Sequence, residues 1–303
     1  MKRFLLLATA IGLASAMATH ATAGAIDPIA GNPGPILELE DDDWEILVNS
    51  GGSISTPGAD TSIDVGDFFV GILRISQINS PPGGSTPIHD YNEAGGETIT
   101  AIFAIKVASK VANGSFFDYG VTSLSDAEWA SVGLDAAGYS RSNTLGQTIA
   151  IVYDDPNNLT IDEGAGQDGS AADDIASVGG TKLWEFGLVT ASNFWTVTGA
   201  TGSIPTSGSA AAGSFNAGLD ITHDYGGTPG LAKLANSVLF PLAPGSSHLL
   251  ISGGVKGGRD NTDFDLISDT DLLIRTPEPG SVTLFGLGAL GLLGARIRRR
   301  RAA

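Results

Sequence analysis

Alternation of apolar and polar residues within short runs is the feature that most constrains the fold of this chain. In the runs 182–190 and 214–222, apolar side chains recur at every second position, which is the period of a β-strand with one buried face. Clusters of Gly, Pro, Asn, Asp and Ser separate such runs, as turns do. The candidate strands are 44–48, 68–78, 98–109, 148–153, 182–190, 194–199, 214–222, 237–240, 248–253 and 263–275.

This pattern predicts an all-β protein in which antiparallel sheets bury one face. We expect a β-sandwich or jelly-roll-like ectodomain over residues 37–275. A capping box formed by Ser125 and Glu128 predicts one short helix through about Ala137, and a second short helix is compatible with the pattern. Residues 24–36 are expected to form a flexible lead-in. Residues 201–213 are interpreted as a surface loop, with a linker between two lobes as the alternative.

The charge of the chain is strongly negative and unevenly distributed. Residues 24–276 contain nine Lys or Arg against 32 Asp or Glu, a net charge of −23. Such a surface repels phosphate backbones, so nucleic acid is not an expected partner. The chain has no cysteine, which excludes disulfides and thiolate metal ligands.

The first 23 residues have the pattern of a signal peptide. A basic start is followed by an uncharged apolar stretch over residues 4–17, and Ala21 and Ala23 provide the small residues that signal peptidase requires. We predict export and cleavage after Ala23. An uncleaved N-terminal anchor is the alternative, although the apolar stretch is shorter than the ~20 residues that a membrane-spanning helix needs.

Residues 276–303 combine an acidic proline pair, an apolar stretch and a basic end. Residues 280–295 carry no charge, and a helix of this length reaches about 24 Å, so a transmembrane helix over about 280–297 would be a marginal one. The basic tail, residues 296–301, follows the positive-inside rule and places the C-terminus in the cytoplasm, with everything before Pro277 outside. A buried core helix is the alternative.

These C-terminal features resemble the PEP-CTERM sorting signal of exported bacterial proteins, which an integral-membrane exosortase processes. The resemblance covers about 25 of the 303 residues, and Gly280 stands where the family often has Ser or Ala. It implies transient membrane anchoring, recognition by exosortase, and release or attachment at the cell surface, often in bacteria that make exopolysaccharide or biofilm. The residues that carry the resemblance are Pro277, Glu278, Pro279, Arg296, Arg298, Arg299, Arg300 and Arg301.

Two acidic segments are candidates for calcium binding, because calcium takes several oxygen ligands. The first contains Asp260, Asp263 and Asp265, and the second is the loop over residues 162–174. Neither has the spacing of an EF-hand, and solvated acidic loops are the alternative. The tripeptide His-Asp-Tyr occurs twice, at 89–91 and 223–225, and raises the question of an acid–base or metal site.

Motifs of catalysis are scarce in this sequence. It has no Gly-x-Ser-x-Gly elbow, no His-Glu-x-x-His and no phosphate-binding Gly-Lys-Ser/Thr. We therefore expect a non-enzymatic, exported protein of structural or interaction type at the cell surface or in the extracellular matrix, with no required cofactor. A calcium-dependent carbohydrate-binding module of the exopolysaccharide matrix is the alternative, and a secreted hydrolase is the third hypothesis. The expected partners are signal peptidase, exosortase, the membrane and exopolysaccharide.

Overall fold

Strands make up most of the residues that the structure describes, and this confirms the predicted all-β class. The computed structural model describes residues 27–30, 36–55, 61–80, 82–83, 86–91, 98–142, 147–156, 159, 170–199, 202–205, 211–226, 231–235, 245–257 and 264–276. The strands within these ranges are β1 (Ile36–Val48), β2 (Phe68–Asn79), β3 (His89–Asp90), β4 (Thr98–Asn113), β5 (Phe116–Thr122), β6 (Thr148–Asp155), β7 (Thr181–Gly187), β8 (Phe194–Gly199), β9 (Ala211–Asp224), β10 (Leu234–Ala235), β11 (Ser246–Ser247), β12 (Leu249–Gly257) and β13 (Leu266–Arg275). The helices are α1 (Asp27–Ala30), α2 (Asp126–Ser131) and α3 (Ala171–Ser177).

Eight of these strands close into a barrel. Going round the barrel, the order is β1, β2, β4, β6, β7, β9, β12 and β13, and every neighbouring pair is antiparallel. Pairing of Phe68–Arg74 in β2 with Thr100–Lys106 in β4 closes the ring. The far half of β4 instead pairs with β5, which reaches β9 through β8. The expected β-sandwich is therefore corrected to a barrel. A sandwich and a barrel have the same alternation in sequence, and the pairing of β2 with β4 is what closes this sheet.

The barrel interior forms the main hydrophobic core. Inward-facing side chains come from every strand of the ring, for example Leu39 of β1, Phe103 of β4 and Leu272 of β13. Ile29 of α1 is also buried against this core. The inward faces of β1 and β13 are the exception to this apolar rule, because they also carry polar side chains that are described below.

A second core covers part of the outer face of the barrel. Outward-facing residues of β1, β2, β4 and β6 pack against α2, α3 and the turns that follow α2. Trp129 of α2 is buried there, and its Nε1 donates a hydrogen bond to the Tyr139 carbonyl at 2.8 Å. The predicted capping box of this helix is present, since Ser125 and Glu128 exchange hydrogen bonds. The helix ends at Ser131, and turns continue from there to Gly138.

Other predictions differ from the structure or lie outside the described residues. β1 begins at Ile36, eight residues before the predicted run, and α3 lies partly in a segment interpreted as an acidic loop. The candidate strand 237–240 and the predicted transmembrane helix over about 280–297 lie outside the described residues. Among the helices that are described, none has the length and apolar character to cross a membrane.

Candidate functional site

Strand β1 carries three carboxyl side chains on its inward face. The sequence Asp-Asp-Asp-Trp-Glu follows a Leu-Glu-Leu-Glu run, so the alternation that points Leu39 inward also points Asp41, Asp43 and Glu45 inward. Their exposed fractions are only 3, 4 and 7 %. In the antiparallel register, Asp41 lies opposite Thr270 of β13 and Asp43 lies opposite Ser268. We call these three acidic residues the carboxyl row.

The carboxyl row borders a cavity inside the barrel. The cavity has a volume of about 150 Å³, and Asp43 and Glu45 are among the side chains that line it. The rest of the lining is aliphatic and aromatic, and it includes no basic side chain of the described residues. Its aromatic members are Phe69, Phe103, Tyr119, Trp184, Phe186, Trp195 and Phe215.

Hydrogen bonds satisfy only part of the carboxyl row. Thr270 Oγ1 donates to Asp43 Oδ2 at 3.1 Å, and Ser268 Oγ donates to Glu45 Oε1 at 2.8 Å. Asp43 Oδ1, Glu45 Oε2 and both carboxyl oxygens of Asp41 are buried without a hydrogen-bond partner. A buried polar atom without a hydrogen-bond partner costs free energy. These four oxygens therefore lower the stability of the fold as long as no partner binds them.

Burial shifts the pKa of every member of the carboxyl row upward. Loss of solvation raises the pKa of Asp43 from 3.8 to about 7, although hydrogen bonds from Ser268 and Thr270 act in the opposite direction. The pKa values of Asp41 and Glu45 are raised well above their ordinary range, first by burial and then by the charge of Asp43. Burial therefore favours the protonated form of all three carboxyls, and Asp43, with a pKa of about 7, is about half protonated at neutral pH.

The carboxyl row is absent from the sites that the sequence suggested. The strand that the sequence predicts begins at Trp44, and the acidic run lies before it. A signal was present, because acidic residues at positions i, i+2 and i+4 continue the period of the preceding leucines. A strand that starts at Ile36 places these carboxyls beside the core.

A second buried carboxylate, Glu185 of β7, is fully hydrogen-bonded. Its Oε1 accepts from the Tyr225 hydroxyl at 2.5 Å and from the Ser142 backbone N–H at 2.6 Å. Its Oε2 accepts from Thr148 Oγ1 at 2.9 Å. These bonds tie β6, β7 and the end of β9 together, so Glu185 has a structural role.

A third buried carboxylate, Asp220 of β9, lies next to Lys233 and His248. Lys233 Nζ is 2.9 Å from Oδ2, and His248 Nδ1 is 2.8 Å from Oδ1. Burial acts to raise the pKa of Asp220, but Lys233 and His248 outweigh it and hold that pKa below its usual value. The contrast with the carboxyl row is direct, since the cavity provides no such cation.

The two His-Asp-Tyr tripeptides form the same local arrangement at strand ends. The rings of His89 and Tyr91 meet edge to face at 4.4 Å, and those of His223 and Tyr225 do so at 4.5 Å. In the second copy, Asp224 Oδ1 accepts the Gly226 backbone N–H in a turn. His and Asp do not converge on a common point in either copy, because adjacent strand residues point to opposite faces.

The predicted calcium ligands are only partly described by the structure. Asp265 is buried, and its Oδ2 accepts the Leu47 backbone N–H at 2.7 Å, which ties β13 to β1. Asp260 and Asp263 lie outside the described residues. No group of three metal-binding side chains with suitable geometry occurs within the part of the chain that the structure describes.

The sorting residues follow directly on the barrel. β13 ends at Arg275, whereas Ala21, Ala23, Pro277, Glu278, Pro279 and the C-terminal arginines lie outside the described residues. Comparison with curated proteins and with solved structures found no match. A family model for the PEP-CTERM protein-sorting motif matches residues 275–300. The suspected resemblance is thereby confirmed: the chain carries a PEP-CTERM sorting motif that begins at the last residue of its final barrel strand.

Proposed function

We propose that this chain is an exported bacterial protein of structural or interaction type, whose barrel is displayed at the cell surface or in the extracellular matrix. The observation that carries the proposal is the PEP-CTERM motif at residues 275–300, which implies targeting to exosortase at the membrane. Since the motif starts where β13 ends, exosortase processing near Pro277 to Pro279 leaves every described strand of the barrel intact.

A binding role suits the barrel better than the hydrolysis of a polymer. Its cavity of about 150 Å³ is lined by strands of the ring together with β5 and β8 and has room for a small molecule, whereas a polysaccharide hydrolase needs an open cleft for a chain. The carboxyls of the cavity face apolar side chains, while a sugar site needs several polar partners. We therefore keep the expectation that the protein is not an enzyme as part of this proposal.

The calcium-dependent carbohydrate-binding alternative gains no support from the tryptophans. Trp44, Trp129 and Trp184 are buried, and Trp195 stacks on Phe215 with ring centroids 5.8 Å apart. Their faces are therefore used inside the protein. Thermal unfolding of the full chain with calcium and with a chelator tests this alternative, because a site that binds calcium only when folded raises the melting temperature.

A reporter fusion tests the sorting step. A reporter with a signal peptide at its N-terminus and residues 275–303 at its C-terminus should be processed and reach the surface of a host that contains exosortase. Glu278→Ala should block processing, whereas the matched variant Ser281→Ala, outside the tripeptide, should not. An unprocessed reporter with the unchanged tail contradicts the proposal.

Cysteine labelling tests the predicted orientation of the chain in the membrane. The chain has no native cysteine, so only the introduced one can react. In a host that lacks exosortase, Ala303→Cys should be protected from a membrane-impermeant maleimide, because the basic tail is expected in the cytoplasm. Val65→Cys is the control, since Val65 is 60 % exposed on the barrel and should react from outside. Labelling of both positions from outside contradicts the orientation.

A further inference from the structure

The lining of the barrel cavity is apolar except on one side, where Asp43 and Glu45 form a polar wall. Asp43 and Glu45 accept hydrogen bonds from hydroxyls of β13, and each keeps one oxygen without a partner. As successive inward residues of one strand, they lie about 7 Å apart along β1. A donor group placed between them is within reach of both free oxygens.

The charged groups around Asp43 and Glu45 indicate which kind of hydrogen-bond donor fits the polar wall. On β1, the groups that face the cavity are Asp43 and Glu45, with Asp41 at the next inward position. The inward residues of β13 here are the neutral Ser268 and Thr270, and those of β2 are glycine and aliphatic side chains. The charged neighbours on the outer face include the carboxylates Glu40, Asp42, Asp269 and Asp271 and the guanidinium of Arg74, which pairs with Asp42. No cation of the described chain lines the cavity, so the described residues supply no counter-charge to Asp43 or Glu45 when these carboxyls are ionised.

We propose that the cavity binds a small organic amine, with its ammonium group held by Asp43 and Glu45 and its apolar body packed among the aromatic side chains of the lumen. An ammonium group has three N–H donors, enough to satisfy both free oxygens at once. Its charge replaces the counter-charge that the cavity lacks, and charge-assisted hydrogen bonds of this kind are the strong ones.

The size and lining of the cavity select the rest of the ligand. A cavity of about 150 Å³ lined by aliphatic and aromatic groups takes up a molecule the size of benzene. A bare divalent metal ion fits poorly, because it needs six or more oxygen ligands and the remaining lining is apolar. An anion meets the same charge as the wall and is excluded.

Binding of benzylamine to the full chain tests this site. Benzyl alcohol is the neutral control of similar shape. Binding is measured by calorimetry and by tryptophan fluorescence, since Trp184 and Trp195 line the cavity. We expect benzylamine to bind at pH 8 at least about tenfold more tightly than benzyl alcohol. Its affinity should fall at least about tenfold at pH 5, where Asp43 holds a proton and the amine keeps its charge. Benzyl alcohol should show little change with pH.

Variants distinguish the contribution of the polar wall to binding from that of the rest of the barrel. Asp43→Asn with Glu45→Gln should remove the preference for the amine, while Asp269→Asn, on the outer face of β13, should keep it. Ala150→Leu should fill the cavity and weaken both probes, because Ala150 belongs to its lining.

Three results overturn the proposal. The first is equal affinity for benzylamine and benzyl alcohol. The second is an affinity for benzylamine that is the same at pH 5 and pH 8. The third is no binding of benzylamine to the folded protein at pH 8. If the double variant does not fold, the comparison of two probes at two pH values in the unchanged protein still decides. The sorting route is tested separately, so either idea can fail alone.

Discussion

Replacing Asp43 with Asn should remove much of the pH dependence of stability above pH 5. The folded protein holds the proton of Asp43 up to about pH 7, whereas an unfolded chain releases it near the ordinary value of 3.8. Between these values the folded state binds more protons than the unfolded state. The free energy of unfolding of the unchanged protein therefore falls as the pH rises through this window, and the loss is complete above about pH 7.

The magnitude follows from the size of the shift. Each pKa unit corresponds to 1.36 kcal/mol, so a rise from 3.8 to about 7 amounts to about 4 kcal/mol in total, of which about 3 kcal/mol falls between pH 5 and pH 8. Asp41 and Glu45 add to the loss in the same direction, because burial raises their pKa values too. Burial lowers the pKa of His248, which acts in the opposite direction below its ordinary value of 6.5.

Urea unfolding at pH 5 and pH 8 measures this effect. Comparing Asp43→Asn with the unchanged protein cancels the contribution of His248, and the variant should lose about 3 kcal/mol of the difference between the two pH values. Asn keeps an oxygen that can accept the Thr270 hydrogen bond. Asp269→Asn, which removes an exposed carboxylate of β13, is the control and should keep the original difference. If Asp43→Asn and the unchanged protein show the same pH dependence, Asp43 is not a buried, protonated carboxyl and the reasoning is refuted.

Three further substitutions test the packing that holds the barrel together, each measured by urea unfolding at neutral pH. Ser125→Ala removes the cap of α2 and should cost about 1 kcal/mol; a stability within error of the unchanged protein contradicts the cap. Gly71→Ala should cost 1–3 kcal/mol or more, because its Cβ would lie 2.3 Å from an aromatic ring of β4, while Gly254→Ala meets nothing within 4 Å and should be tolerated. Tyr225→Phe removes the hydroxyl that donates to Glu185 and should cost about 1.5–3 kcal/mol; a neutral result contradicts the structural role of Glu185.

The strands were predictable because their signal is local. Alternation located the cores of β2, β4, β7 and β9, and the capping box located the start of α2. Barrel closure was not predictable, because it depends on which strands pair across long sequence separations, and a sandwich has the same alternation. The position of α3 was missed because the third helical residue of its capping box is Asp173, where the usual pattern has Glu or Gln, and because it lies in an acidic stretch that looks like a loop.

The site was harder to predict than the fold, since acidic residues were too common to choose among. Of the predicted calcium ligands, Asp265 serves to bond the β1 backbone, and the carboxyl row was hidden in a run that looks like a solvated surface. What distinguishes the row is its position opposite the hydroxyls of β13. That relation joins residues more than 200 positions apart in the sequence, and it becomes visible only once the register of β1 and β13 is known.

The inward face of β1 carries the three carboxyls of the carboxyl row, and so it departs further from an apolar core than the hydroxyls of β13 do. Its inward residues start with Leu37 and Leu39 and end with Leu47, and between these leucines are three carboxyls that an apolar core does not need. Such local conflicts are expected where function outweighs stability. If the row exists to bind a cation, the variant that relieves its cost at pH 8 is also the one that loses benzylamine. Greater stability at pH 8 with amine binding unchanged would separate the two effects and leave the carboxyl row without a binding role.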